Sequence, residues 1–163
     1  MNFTVREYST SDLSGMAKVW NCVVREGNAF PQTEELDLKS AAEFFEGQTF
    51  CGVAVDDNSG EVVGMYILHP NNIGRCGHIC NASYAVRPGL RGCHIGERLV
   101  SHCMEQGRKA GFGILQFNVV VSTNYAARHL YEKLGFVPLG TIPKGFRLDN
   151  GEYEDIVVYY HTL

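Results

Sequence analysis

At 163 residues, 45% hydrophobic and 20% charged, the chain has the size and composition of one globular domain, spanning 1–163, that buries a core without help from disulfides or metals. A net charge of −4 gives no electrostatic reason to expect a nucleic acid or an anionic membrane as partner. No apolar run approaches the ~20 residues of a membrane span, and Met1 to Asp12 is polar where a secretory signal is apolar, so a cytoplasmic location is expected. The six cysteines fall mostly inside apolar runs of a chain without a secretory signal, which favours reduced, partly buried thiols.

In chain order, Phe3 to Tyr8 alternates as a strand, and Ser9 to Asp12 offers N-caps for a helix. Leu13, Met16, Ala17, Trp20 and Val24 recur at three- and four-residue spacing on one face of that helix. Gly27-Asn28 ends it. The following loop, Ala29-Phe30-Pro31-Gln32, holds an aromatic ring beside a proline and is a candidate pocket wall. Asp37 to Phe45 predicts a shorter helix. Thr49 to Val55 and Val62 to His69 predict two strands joined by the turn-forming Asp56-Asp57-Asn58-Ser59-Gly60.

After the break Pro70 to Gly74, Ile79 to Val86 predicts a buried strand. Pro88-Gly89 interrupts it, and Arg91-Gly92-Cys93-His94-Ile95-Gly96 opens into a helix over Ile95 to Lys109. A loop at a helix start gathers free backbone N–H groups and the positive end of the helix dipole, which suits a phosphate or pyrophosphate. The loop is neither G-x-G-x-x-G nor a P-loop, so alone it reads equally well as a plain strand-to-helix turn. A second strand–helix unit follows: Leu115 to Val121, the caps Ser122-Thr123-Asn124, and a helix over Tyr125 to Leu134 closed by Gly135. Val137 to Ile142 and Tyr153 to Tyr160 are the last strands, with a connection longer than a tight hairpin.

The span Asn124-x-x-Ala127-x-x-x-Tyr131-x-x-x-Gly135-Phe136, together with Arg91-x-x-x-x-Gly96, resembles the GCN5-related N-acetyltransferase superfamily. The resemblance implies an α/β fold with a central mixed, mostly antiparallel sheet of six or seven strands, splayed central strands and helices on both faces. It also implies acetyl-CoA as co-substrate and no metal. The backbone of Tyr84, Ala85 and Val86 would receive the pantetheine, and Arg91, Gly92, Cys93, His94, Ile95, Gly96 and Glu97 would surround the pyrophosphate. Asn124, Ala127 and Tyr131 would lie near the thioester, with Tyr131 as the acid for the departing thiolate. His94 occupies a motif position where glycine is usual. Its side chain must point away from the pyrophosphate or else contact it as a donor.

Upstream, Gly74-Arg75-x-x-His78-x-Cys80-Asn81-Ala82 and Phe117-Asn118 resemble fungal enzymes that acetylate azetidine-2-carboxylate and, more distantly, the phosphinothricin and methionine-sulfoximine acetyltransferases. That resemblance places Asn81 and Asn118 in the substrate site and in catalysis. It makes Glu26, Phe30 and Pro31 part of a substrate-side loop, and the acceptor an amino acid or similar small amine. The residues themselves leave two readings for Asn81 and Asn118: buried amides that bond each other, or amides that line a cavity. Neither central strand carries a carboxylate, so no general base is assigned and Glu26 is only a remote candidate. Cys76, His78 and Cys80 share a face if their strand begins early, but they lack a fourth zinc ligand. The rival activities are protein N-terminal or lysine acetylation and non-catalytic acyl-CoA binding. Homodimers are common in the superfamily.

Overall fold

The computed structural model describes residues 1–163. Seven strands form one sheet: β1 (Phe3–Glu7), β2 (Phe50–Asp56), β3 (Val62–Pro70), β4 (Ile79–Val86), β5 (Ile114–Val121), β6 (Val137–Arg147) and β7 (Tyr153–Thr162). Their order is β1-β2-β3-β4-β5-β7-β6, and every neighbouring pair is antiparallel except β4 with β5. The helices are α1 (Leu13–Glu26), α2 (Leu38–Glu46), α3 (Ile95–Lys109) and α4 (Tyr125–Lys133). No helix is long and apolar enough to cross a membrane.

The side-chain alternation of the strands divides the core into two layers. On one face α1 and α2 pack Met16, Trp20 and Phe45 over Val53, Met65 and Ile67. On the other, α3 packs Ile95, Leu99 and Cys103 over Tyr66, Leu68 and Ala82. Tyr66 is fully buried, and only a bare backbone fits beside it: a Cβ on Gly52 would lie 2.1 Å from the Tyr66 ring. The start of α1 is tied to β1 through Asp12, which accepts from Arg6 at 2.7 and 3.0 Å and from the Ser9 backbone N–H at 2.7 Å. Asp37 caps α2 by accepting from the Ser40 N–H at 2.7 Å.

Most expected elements appear within a residue or two of their predicted ends. β6 is the exception. It runs to Arg147 rather than stopping at Ile142, and the connection to β7 is correspondingly short. β6 contains Pro138 and Pro143, which it tolerates because it is the sheet edge, where a missing N–H leaves no ladder bond unmade. Register shifts at Pro138/Gly140 and Ile142/Phe146 absorb the irregularity, with Lys144 in the left-handed region at φ 54°. All six cysteines are free thiols; Cys51, Cys80 and Cys103 are buried. Cys76 and His78 precede β4, exposed, whereas Cys80 is buried within it, so the three do not share a strand face.

Candidate active site

The site begins where the only parallel pair of strands comes apart. β4 and β5 pair at Ile79–Ile114 and Cys80–Leu115 and nowhere beyond. From Asn81 onward a wedge opens between them. The ladder to β3 shows which peptide groups face it. Ile79 O accepts from Asn71 N–H at 2.8 Å, and Arg87 N–H donates to Val63 O at 2.9 Å. Odd-numbered residues of β4 therefore bond β3, and the period of two turns the peptides of Ala82, Tyr84 and Val86 toward the wedge. Ala85 turns its own peptide to β3 and buries its methyl under α1.

β5 departs from regularity at the same level. Phe117 pairs with Tyr159 and Val120 with Val157, so Asn118 and Val119 together stand opposite Val158. Such a bulge re-aims side chains beside a site.

On the α3/α4 face, Tyr131 stands over the wedge. Its ring lies 4.5 Å from Phe117 of β5 and 6.4 Å from Tyr84 of β4. Burial pushes its phenol above the ordinary value of 10. Tyr84 is pushed up by the same cause, and its buried hydroxyl has no hydrogen-bond partner. Leaving such a group unpaired costs about 1–3 kcal/mol, and groups of that kind gather where a ligand completes them. Asn124 caps α4, accepting from Ala127 N–H at 3.3 Å. Tyr159 then secures that helix to β7, accepting from Arg128 at 3.2 Å and donating to Glu132 at 2.8 Å.

The loop before α3 combines left-handed backbone at Gly92 (φ 79°) and His94 (φ 58°). The first intrahelical bond runs from Arg98 N–H to His94 O, which leaves the N–H groups of Ile95, Gly96 and Glu97 pointing out of the helix start. The His94 side chain is 74% exposed and lies 3.2 Å from Glu97. Glu97 in turn accepts from Lys133 of α4 at 2.8 and 2.9 Å. These contacts hold its carboxyl below the usual range, Lys133 contributing most and His94 next. The acidic side chain at the start of α3 is thus tied to a cation. Arg91 is exposed beside the loop, and Cys93 is half-buried.

The α1/α2 face carries amides. Asn81 Oδ1 accepts from the Ala82 N–H at 2.8 Å, occupying one of the peptides that face the wedge. Asn118 does not bond Asn81. It exchanges two hydrogen bonds with Asn71, at 2.6 and 3.2 Å, and accepts a third from Gln116 at 2.9 Å. Nothing local marks Asn71, which sits in a stretch legible only as a break. Gln116 had a signal: Gln116 and Asn118 interrupt an apolar strand two residues apart and so share a face.

A cavity of about 440 Å³ opens on this side and reaches β5 at Val119, the residue after Asn118. Its walls include Phe30 and Pro31 from the loop after α1, and Phe146, Arg147 and Asp149 from the end of β6 and its turn. Phe30 is anchored 4.4 Å from the buried Trp20 ring. Arg25 and Glu35 line the cavity as an ion pair at 2.5 Å, whereas Arg147 and Asp149 are in no ion pair. Glu26 is exposed at the end of α1 and does not line this cavity. No group of three or more His, Cys, Asp or Glu side chains is arranged to hold a metal.

Comparisons with known proteins agree with this geometry. The model of the acetyltransferase (GNAT) family matches residues 17–136. The chain is 30% identical over 168 residues to N-acetyltransferase aca1 of Schizosaccharomyces pombe, covering 91% of this chain and 79% of that protein. It is 25% identical over 144 residues to the L-amino acid N-acyltransferase MnaT of Escherichia coli, covering 86% and 83%. Among solved structures, a GNAT-superfamily phosphinothricin acetyltransferase from Sinorhizobium meliloti, in complex with acetyl-CoA, superposes with a TM-score of 0.91 at 21% identity, over 100% of this chain and 89% of that one.

Proposed function

The chain belongs to the acetyltransferase (GNAT) family, is an acyltransferase with acetyl-CoA as co-substrate, and from that premise we propose that it acetylates the amine of a small molecule, an amino acid or amino-acid analogue. The observation that carries the proposal is the size and lining of the cavity on the α1/α2 side. At about 440 Å³ it is within the range of small-molecule sites, and Phe30, held on Trp20, forms part of its wall. The L-amino acid acyltransferase relative supports the same class.

The residues present suit acetyl-CoA. The unladdered peptides of Tyr84 and Val86 offer an extended ligand a strand edge, as in strand addition. The Gly92–Glu97 loop offers N–H donors to a pyrophosphate, and a Cβ at Gly92 would meet nothing within 4 Å, so the cradle is open. Acetyl-CoA supplies the acetyl group as an activated thioester. Asn81 and Asn118 donate N–H groups toward the acceptor side. Donors held in place before reaction stabilise negative charge as it grows on an oxygen.

Tyr131 faces the leaving sulfur from the opposite side. A phenol held above 10 is a weaker acid than a thiol of about 8.5, so full proton transfer to a thiolate runs uphill. Tyr131 instead supplies a hydrogen bond to the sulfur as charge develops there. The proton lost by the amine, reaching the thiol through solvent, balances the reaction. With no carboxylate on β4 or β5, the amine enters neutral or deprotonates to water. The same proposal places the enzyme in the cytoplasm and pairs it as a homodimer. Val137, Leu139 and Ile142, exposed on the outer strand β6, favour association; sedimentation as a monomer would remove that part.

The test is thiol release from acetyl-CoA across a panel of free amino acids, proline analogues, methionine sulfoximine and basic peptides. Turnover with one or more free amino acids is expected. Turnover with the peptides alone would make this a protein acetyltransferase. Acetyl-CoA binding without turnover on any amine would make it a binding module.

A further inference from the structure

We propose that the Phe117 ring is the gauge for the donor's acyl group, holding it to the size of acetyl and excluding longer chains. This rests on acetyl-CoA as co-substrate and not on which amine accepts. The wedge has a fixed floor. β4 and β5 stop pairing after Cys80–Leu115, and both of those side chains are fully buried. Counting the same register on by two residues sets Phe117 level with Ala82. That is the first such pair above the floor whose side chains both turn to the α3/α4 face, where they belong to the buried core.

The peptides of β4 indicate where the acyl end of a donor comes to lie. A ligand anchored on the Gly92–Glu97 loop would run down the strand edge from Val86 to Tyr84. The Ala82 N–H is already taken by Asn81 Oδ1 at 2.8 Å, so the free edge ends at Tyr84. Whatever the ligand carries further lies between Ala82 and Phe117. Acyl carbons there have two directions. Toward the α1/α2 face they would block the approach of the amine. Toward the α3/α4 face they meet Phe117. That ring is wedged on three sides: it stacks on Phe136 at 4.7 Å, lies 4.5 Å from Tyr131 and meets Tyr84 edge-on at 5.7 Å. Added methylenes would overfill a close-packed interior and force its rings off their rotamers.

The experiment is a donor series of acetyl-, propionyl- and butyryl-CoA, read both as kcat/KM from thiol release and as equilibrium dissociation constants from calorimetry. Wild-type enzyme should favour acetyl- over butyryl-CoA by about 100-fold in kcat/KM and bind it about tenfold more tightly. Phe117→Leu, which removes the far edge of the ring, should bring both ratios to within about threefold. Equal use of acetyl- and butyryl-CoA by wild type would overturn the proposal. So would a Phe117→Leu enzyme that loses activity with every donor in the same proportion. Phe136→Leu loosens the same core one ring further from the wedge and should leave the ratios within about twofold of wild type. A change as large as that from Phe117→Leu would show a softened core in place of a gauge.

If Phe117→Leu does not fold, Phe117→Met, close in volume but flexible, carries the same test. Butyryl-CoA should then gain on acetyl-CoA by about tenfold, and an unchanged ratio would sink the gauge. The acceptor in the kinetic arm is whichever amine wild-type enzyme uses, free or peptide. Failure of the small-amine reading therefore appears in the acceptor panel and leaves the donor ratios readable. Were no amine acetylated, the dissociation constants alone would decide, with equal wild-type affinity for acetyl- and butyryl-CoA contradicting the proposal.

Discussion

The two faces of the β4–β5 wedge are built in opposite ways. The α3/α4 face comes from two unbroken stretches, Tyr84 to Glu97 and Asn124 to Phe136, each a strand or strand end running through a loop into a helix. The α1/α2 face is assembled from five remote pieces: Phe30-Pro31, Asn71, Asn81, Gln116 to Val119, and Phe146 to Asp149. Contiguous segments place backbone N–H groups by local geometry alone, so their chemistry repeats wherever the local sequence does. Remote pieces meet only through the tertiary fold. Under the proposed function, acetyl-CoA would be served by local parts and the acceptor by parts that only the tertiary fold brings together.

The largest effect is expected at the junction of the two faces. Tyr131→Phe removes only the hydroxyl from a ring held by Phe117, and turnover should fall about 100-fold while acetyl-CoA affinity, measured by titration, holds. Equal losses in both would return Tyr131 to core packing. On the acceptor side, Arg147→Gln should raise the KM for an amino acid about fivefold without changing the KM for acetyl-CoA, the modest size reflecting an exposed charge. An unchanged acceptor KM would detach the β6 turn from the pocket.

On the cofactor side, His94 pays for its left-handed backbone without a contact that requires histidine: it is 74% exposed, and Glu97 keeps Lys133 as partner. His94→Gly should relieve about 1 kcal/mol, visible as a higher Tm and roughly fivefold tighter acetyl-CoA binding; weaker binding would show the imidazole to be a ligand. The smallest effect is in pH. Because burial raises the Tyr131 phenol above its ordinary value, its protonated form persists to higher pH than a free tyrosine. Its contribution to turnover is present below that raised value and lost only above it. The kcat profile should therefore show no descending limb from Tyr131 below about pH 10, and a fall near pH 8 that disappears in Tyr131→Phe would contradict this.

Legibility in the sequence followed the same division. Helical periodicity and capping located α1, α3 and α4 closely, because those signals are local. The splay of β4 from β5 came with the family resemblance and not from periodicity, since a strand reads the same whether or not its neighbour stays paired. β6 runs five residues past the expected end at Ile142, because the sequence does not announce which strand is the sheet edge, where irregular pairing is tolerated. Asn118 was legible as a costly amide, but its partners were not: Asn71 lies 47 residues away, and nothing local distinguishes it from the turn-forming Asn72. Arg147 was hidden in what read as a long connection, and Asp149 was legible only as the first residue of the turn signal Asp149-Asn150-Gly151.

Steady-state kinetics with both substrates varied, on Gly92→Val and Asn118→Ala, tests the two-sided site most directly. Gly92 needs its left-handed backbone (φ 79°), which a β-branched residue resists, and Asn118 belongs to the amide face. The account predicts that Gly92→Val raises the KM for acetyl-CoA about tenfold and leaves the acceptor KM unchanged, with Asn118→Ala doing the reverse. Both substitutions weakening both substrates alike would contradict it.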